Sequence, residues 1–186
     1  MTMLKLDPVW QPDIQQANFR LLLNAMAYPG RYFALHAVPK EGHITLSVLA
    51  TLLDAEVTLS DPYNLLREDN WPMLQVKSAS ADEADYVLCD ASQLPNFSPK
   101  LGTLPNPDQS ATLIVKVNKL GQGDLKLKLS GPGIKDFERL TVDGLNTEWL
   151  SKRNDWICSF PLGVDMILVD AQYVAALPRT TKVEVE

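Results

Sequence analysis

The segment Val164-Asp165-Met166-Ile167-Leu168-Val169, with Tyr173–Leu177 returning after Asp170-Ala171-Gln172, constrains the fold of this chain more than any other. Two apolar runs of similar length around a short polar turn read as a β-hairpin. Their alternation and β-branched content suit a pleated, largely buried strand. Pro178 has no N–H to donate to a ladder, so the return strand ends or reaches an edge there. Arg179-Thr180-Thr181 then sets a cation and two hydroxyls just beyond the strand end.

The other elements show what this hairpin joins. Ile14, Ala17, Leu21, Leu22, Ala25 and Met26 recur at helical spacing, widened by Phe19 and Leu23, and predict a helix over 12–27 that Pro29-Gly30 stops. Residues 31–37 read as extended and 39–42 as a turn. A second helix over 45–55 is apolar almost all round, which implies burial under a sheet. Short strands are expected at 56–59, 85–89, 111–117 and 140–142, and residues 65–73 are ambiguous. Over 124–130, Leu125, Leu127 and Leu129 alternate with Lys126 and Lys128. Leu120-Gly121-Gln122-Gly123 then reads as a hairpin turn joining that strand to 111–117. A last helix over 147–157 starts from Asn146 as its cap. Helices alternate with single strands early and hairpins dominate late, so the expected fold is α/β: a three-layer sandwich around a mixed sheet.

Composition bounds the function. The chain has 186 residues with no linker or repeat, and its thirteen prolines and nine glycines are scattered, so one domain over 1–186 is expected. A net charge of −6 argues against nucleic acid and anionic lipid as partners. No signal peptide and no run of transmembrane length is read, which makes the expected location cytoplasmic. Cys89 and Cys158 both read as buried thiols. His36 and His43, seven apart across a turn, do not make a zinc pair. His43 reads as a solvated loop residue. Neither Gly121-Gln122-Gly123 nor Gly131-Pro132-Gly133 completes a nucleotide-binding glycine motif. Lys126 and Lys128 lie on the polar face of a strand, unlike a Schiff-base lysine. No metal and no cofactor are therefore expected.

A few residues invite a functional reading. Asp165, inside an apolar strand, has to face a polar cleft, pair with a cation or reach solvent. Arg20 projects from a strongly apolar helix and is a possible partner for it. Arg179 and Thr180 have the composition of an anion site. His36 ends an extended run as a general acid/base or an anion-binding donor. Across 116–139, basic residues outnumber acidic ones six to three, a polar hairpin face or a surface for an acidic partner.

As a pattern, Phe160-Pro161-Leu162-Gly163-Val164-Asp165, the hairpin, and Pro178-Arg179-Thr180-Thr181 before Val183-Glu184-Val185 resemble the PhnH family, the H subunit of the bacterial carbon–phosphorus lyase system. Phe19-Arg20, Leu22-Leu23, Ala25-Met26 and Pro29-Gly30 follow the same family's N-terminal pattern, and Ala34-Leu35-His36 continues it. Gly102-Thr103, Ala111-Thr112-Leu113-Ile114 and Gly131-Pro132-Gly133-Ile134 supply landmarks between. The resemblance implies a fold like the large domain of pyridoxal-phosphate-dependent transferases, without the cofactor. It also implies action with the G, I and L proteins in displacing adenine from ATP by a phosphonate. The product is ribose 1-phosphonate 5-triphosphate. Assembly with G, I and J subunits and a homodimer in isolation are implied as well. Two readings stand: a subunit with an anion or nucleotide site around Arg20, His36, Asp165, Arg179 and Thr180, or a purely structural assembly subunit. No catalytic residue is assigned.

Overall fold

A computed structural model describes residues 7–36 and 43–186. The strands are β1 Tyr32–Ala34, β2 Thr58–Ser60, β3 Lys77–Ser78, β4 Tyr86–Asp90, β5 Thr112–Lys116, β6 Lys119–Ser130, β7 Glu138–Asp143, β8 Asp165–Val169, β9 Tyr173–Leu177 and β10 Lys182–Val185. The α-helices are α1 Pro12–Ala27, α2 His43–Leu52, α3 Trp71–Leu74 and α4 Glu148–Trp156. Seven strands form one mixed sheet in the order β1-β9-β8-β5-β4-β2-β3, and β10-β6-β7 form a second, antiparallel sheet.

The centre of the large sheet follows from its sequence. Strands β2, β4, β5 and β8 run parallel, and β9 and β1 add antiparallel at one side. Leu113, Ile114 and Val115 on β5 and Met166 and Leu168 on β8 have no solvent exposure, as strands covered on both faces require. On one face Leu88, Ile114, Ile167 and Val174 meet Leu22 of α1 and Ile44, Val48 and Leu49 of α2. On the other, Val87, Leu113, Met166 and Leu168 meet Trp149 and Trp156 of α4 and Leu127, Leu129, Leu140 and Val142 of the small sheet. The α/β fold with a mixed sheet is as expected, with a small antiparallel sheet sharing the third layer with α4.

Several expectations need correction. Residues 111–117 and 124–130 do not form a hairpin. Strand β5 is flanked by β4 and β8 and has no free edge, and at Asn118 the chain turns to pair with β7 instead. Leu120 and Leu125 both stand opposite Val142, so residues 121–124 bulge out of a single strand. Strand β10, for which no element was expected from sequence, pairs antiparallel with β6. Helix α2 begins at His43, which is thus not a loop residue, and ends at Leu52 rather than 55. Phe19 and Leu23 are 45% and 52% exposed and do not widen the buried face of α1. That face carries Asn18, Leu22 and Ala25. Cys89 is buried as expected, but Cys158 is exposed. The turn read at 39–42 and the end of the 31–37 stretch lie outside the described residues. Among the described residues no helix is long and apolar enough to cross a membrane.

Candidate functional site

The parallel strands give the large sheet two chemically different ends. At the amino ends of β4 and β8 sit two ion pairs, Asp85–Lys100 and Asp165–Arg179. At the carboxyl ends, where open α/β sheets usually bind ligands, stand Asp61, Asp90 and Asp170. Each of these carboxylates is engaged in holding its own loop. Asp61 accepts from the N–H of Leu65 and Leu66, and Asp90 accepts from Ser92. Asp170 accepts from Gln172, Tyr173 and, across the molecule, Leu120.

Of the residues singled out from sequence, the structure brings Asp165 and Arg179 together. Met166 pairs with Leu177 in the β8–β9 hairpin, which brings Asp165, the first residue of β8, beside Arg179, two residues past the end of β9. The Arg179 backbone N–H donates to Asp165 Oδ1 at 2.7 Å, and Nη2 donates to Oδ2 at 2.6 Å. Nε also donates to Asp165, Nη1 to the carbonyls of Pro107 and Pro161, and Nη2 to the Ser110 hydroxyl. Every N–H of the guanidinium has an acceptor within the protein. The side chains are only 16% and 17% exposed. The pair clasps three segments: the 107–110 crossover, the approach to β8 and the exit from β9.

Arg20 does not join it. It is exposed on α1 and has no hydrogen bond or ion pair among the described residues, so the suggested pairing with Asp165 does not form. His36 is also exposed. Its backbone N–H donates to Asn18 Oδ1 at 2.7 Å, which ties the chain beyond β1 to α1. Thr180 is exposed, whereas its neighbour Thr181 is fully buried.

Sequence reading passed over the residues that organise this region. Asn18 shares a helical face with Leu22 and Ala25, a spacing that marks it as inward-facing. Arg153 stands at i+4 from Trp149 and i−3 from Trp156, on the apolar stripe of α4, and has no exposed surface. Its Nη2 donates to the carbonyls of Pro178 and Thr181 at 2.6 and 2.9 Å. Burial pulls its pKa down to about 10, partly opposed by Asp165, and it stays cationic at neutral pH. Asp85 accepts from Lys100 and from the N–H and hydroxyl of Thr58. Burial acts to raise its pKa, but these bonds outweigh it and the carboxyl lies below its ordinary value.

Two concavities flank the clasped hairpin. A polar one of about 200 Å³ lies at the carboxyl ends of β5 and β8, lined by Asn118, Lys119, Gln122, Asp170 and Gln172 among others. An apolar one of about 140 Å³ lies between α1 and the sheet, lined by Phe19, Leu23, Met26, Leu52, Tyr86 and Ile167 among others. Among the described residues, no group of three or more His, Cys, Asp and Glu is placed to hold a metal ion.

The comparisons with known proteins agree on one family. A protein of Stutzerimonas stutzeri named as C-P lyase subunit protein HtxG is 43% identical over 96% of this chain and 90% of its own length. The alpha-D-ribose 1-methylphosphonate 5-triphosphate synthase subunit PhnH of Rhizobium meliloti (strain 1021) is 32% identical over 97% of this chain and 94% of its own. Residues 8–184 match the family described as bacterial phosphonate metabolism protein (PhnH). The chain belongs to the PhnH family of bacterial phosphonate metabolism proteins.

Proposed function

We propose that this protein is an architectural subunit of the carbon–phosphorus lyase system, serving the step that makes a ribose 1-phosphonate 5-triphosphate from ATP and a phosphonate. The assignment to the step rests on the named relatives. The architectural role rests on one observation: the guanidinium of Arg179, the best anion-binding candidate in the sequence, has all its donors committed inside the fold. An arginine in that state orders loops rather than awaiting an oxyanion. The G, I and J subunits as partners, a homodimer in isolation, a cytoplasmic location and kinship with the large domain of pyridoxal-phosphate-dependent transferases belong to the same proposal.

Calorimetric titration of the isolated protein with ATP and with methylphosphonate tests the architectural reading. The expected result is no saturable binding of either, while co-expressed partner subunits still co-purify with it. Saturable binding of ATP or methylphosphonate that is lost in Arg179→Lys would overturn it and restore the anion-site reading.

A further inference from the structure

Leu104 and Phe160 are 73% and 69% exposed, more than any other large apolar side chain among the described residues. Each stands second in a hydrogen-bonded turn and is followed by a proline. Asn106 N–H donates to the Thr103 carbonyl at 3.0 Å, and Leu162 N–H to the Ser159 carbonyl at 3.0 Å. The two turns are tied together. Gly163 N–H donates to the Leu101 carbonyl at 3.0 Å, and Arg179 Nη1 reaches the carbonyls of both Pro107 and Pro161. Two apolar knobs are thus presented to water by pinned turns, and anchors ordered in advance lose little entropy on docking. The apolar groove of about 140 Å³ opens at the same end of the large sheet. Thr112 and Ile167 line it, and Thr112 stands opposite Asp165, the partner of Arg179. Phe19 and Leu23 of α1, 45% and 52% exposed, form its rim. Knobs and groove also carry opposite free charges. Asp108 beside the knobs and Arg20 beside the rim are both exposed, and neither has a hydrogen bond or ion pair from its side chain among the described residues.

We propose that this end of the large sheet is the face by which two copies of the chain pair about a two-fold axis, each placing Phe160 in the other's groove. A surface that holds both knob and hole is self-complementary, as an isologous contact requires. The sizes agree. An apolar cavity of about 150 Å³ accommodates benzene, and Phe160 brings one phenyl ring to a groove of about 140 Å³. The charges agree as well, since the same exchange carries Asp108 of each copy toward Arg20 of the other. A groove walled by Phe19, Leu23, Met26 and Ile167 offers nothing to a phosphonate or a nucleotide. The inference rests on the homodimer proposed above and names its surface, while the absence of a ligand site is tested separately.

Sedimentation of the purified full-length protein across a dilution series tests this, with p-benzoylphenylalanine in place of Phe160 as a photo-cross-linker to locate the contact. A concentration-dependent dimer is expected. Phe160→Ser and Leu23→Asp should each weaken it at least about tenfold with unchanged circular dichroism. Arg20→Glu and Asp108→Lys should each weaken it too, and the double variant should recover it. The cross-linker should attach to residues 19–26 of a mass-labelled second copy. If Leu23→Asp does not fold, Phe160→Ser decides. A monomer at every concentration would overturn the inference and the homodimer together. A dimer undiminished in Phe160→Ser, or a cross-link to another segment or to a co-purified partner subunit, would overturn the surface alone.

Discussion

Asp165 and Arg179 show how the setting of a charge decides its role. Each is less than one-fifth exposed, and together they hold the 107–110 crossover, the entry to β8 and the exit from β9. Removing one partner leaves the other buried and unmatched. Arg179→Ala and Asp165→Asn are therefore expected to lower stability by about 3 kcal/mol each in denaturant melts, and the double variant by much less than the sum. Lys126→Ala, on an exposed strand face, should stay within about 0.5 kcal/mol. Equal effects of Arg179→Ala and Lys126→Ala would show that the clasp does not hold the fold. Asp85 carries a pH signature. Its pKa is depressed in the folded state, so its contribution is complete above the ordinary aspartate value of about 3.9 and is lost as pH falls through the folded value. Asp85→Asn should flatten the acid limb of stability against pH while leaving the slope above neutrality unchanged. An unaltered acid limb would contradict the assignment.

At the level of elements, what could be read was what neighbouring residues determine. The β8–β9 hairpin and α1 were legible because the period of their apolar residues is strong and their boundaries are marked by Asp170, Pro178 and Pro29-Gly30. The pairing of 111–117 with 124–130 was misread because adjacency favours a hairpin. What overrode it is long-range: β5 already has β4 and β8 on its two sides. Strand β10 escaped notice because Lys182–Val185 carries just two valines, and its order comes from β6. In the site, Asp165 and Arg179 were visible as charges in apolar surroundings, but their partnership depended on the hairpin register. Arg153 was hidden in a polar-looking helix. The 121–124 bulge supplies an element-scale test. Gly123 has φ +115°, and a Cβ there would lie 2.7–2.8 Å from Cβ, Cα and N of Asp143, most of it backbone. Gly121, at φ +76°, would instead meet the Tyr32 ring, a side chain 46% exposed. Gly123→Ala should thus cost about 1–3 kcal/mol and exceed the cost of Gly121→Ala. The reverse order would mean that the bulge adapts more readily than its contacts imply.

At the scale of the whole molecule, a mixed sheet is covered on one face by α1 and α2 and on the other by α4 and the small sheet, and Asp85, Asp165, Arg153 and Arg179 each tie segments of this frame together. The carboxylates at the carboxyl ends of the parallel strands hold loops, and the arginine best suited to an oxyanion holds the hairpin. Membership of a phosphonate metabolism family, with relatives named as subunits, is consistent with work done by assembly. Growth of a strain lacking this gene and any second copy, on methylphosphonate as sole phosphorus source, tests that placement most directly. The expected result is no growth on methylphosphonate, normal growth on inorganic phosphate, and rescue by the wild-type gene. Normal growth of the deletion strain on methylphosphonate would contradict it.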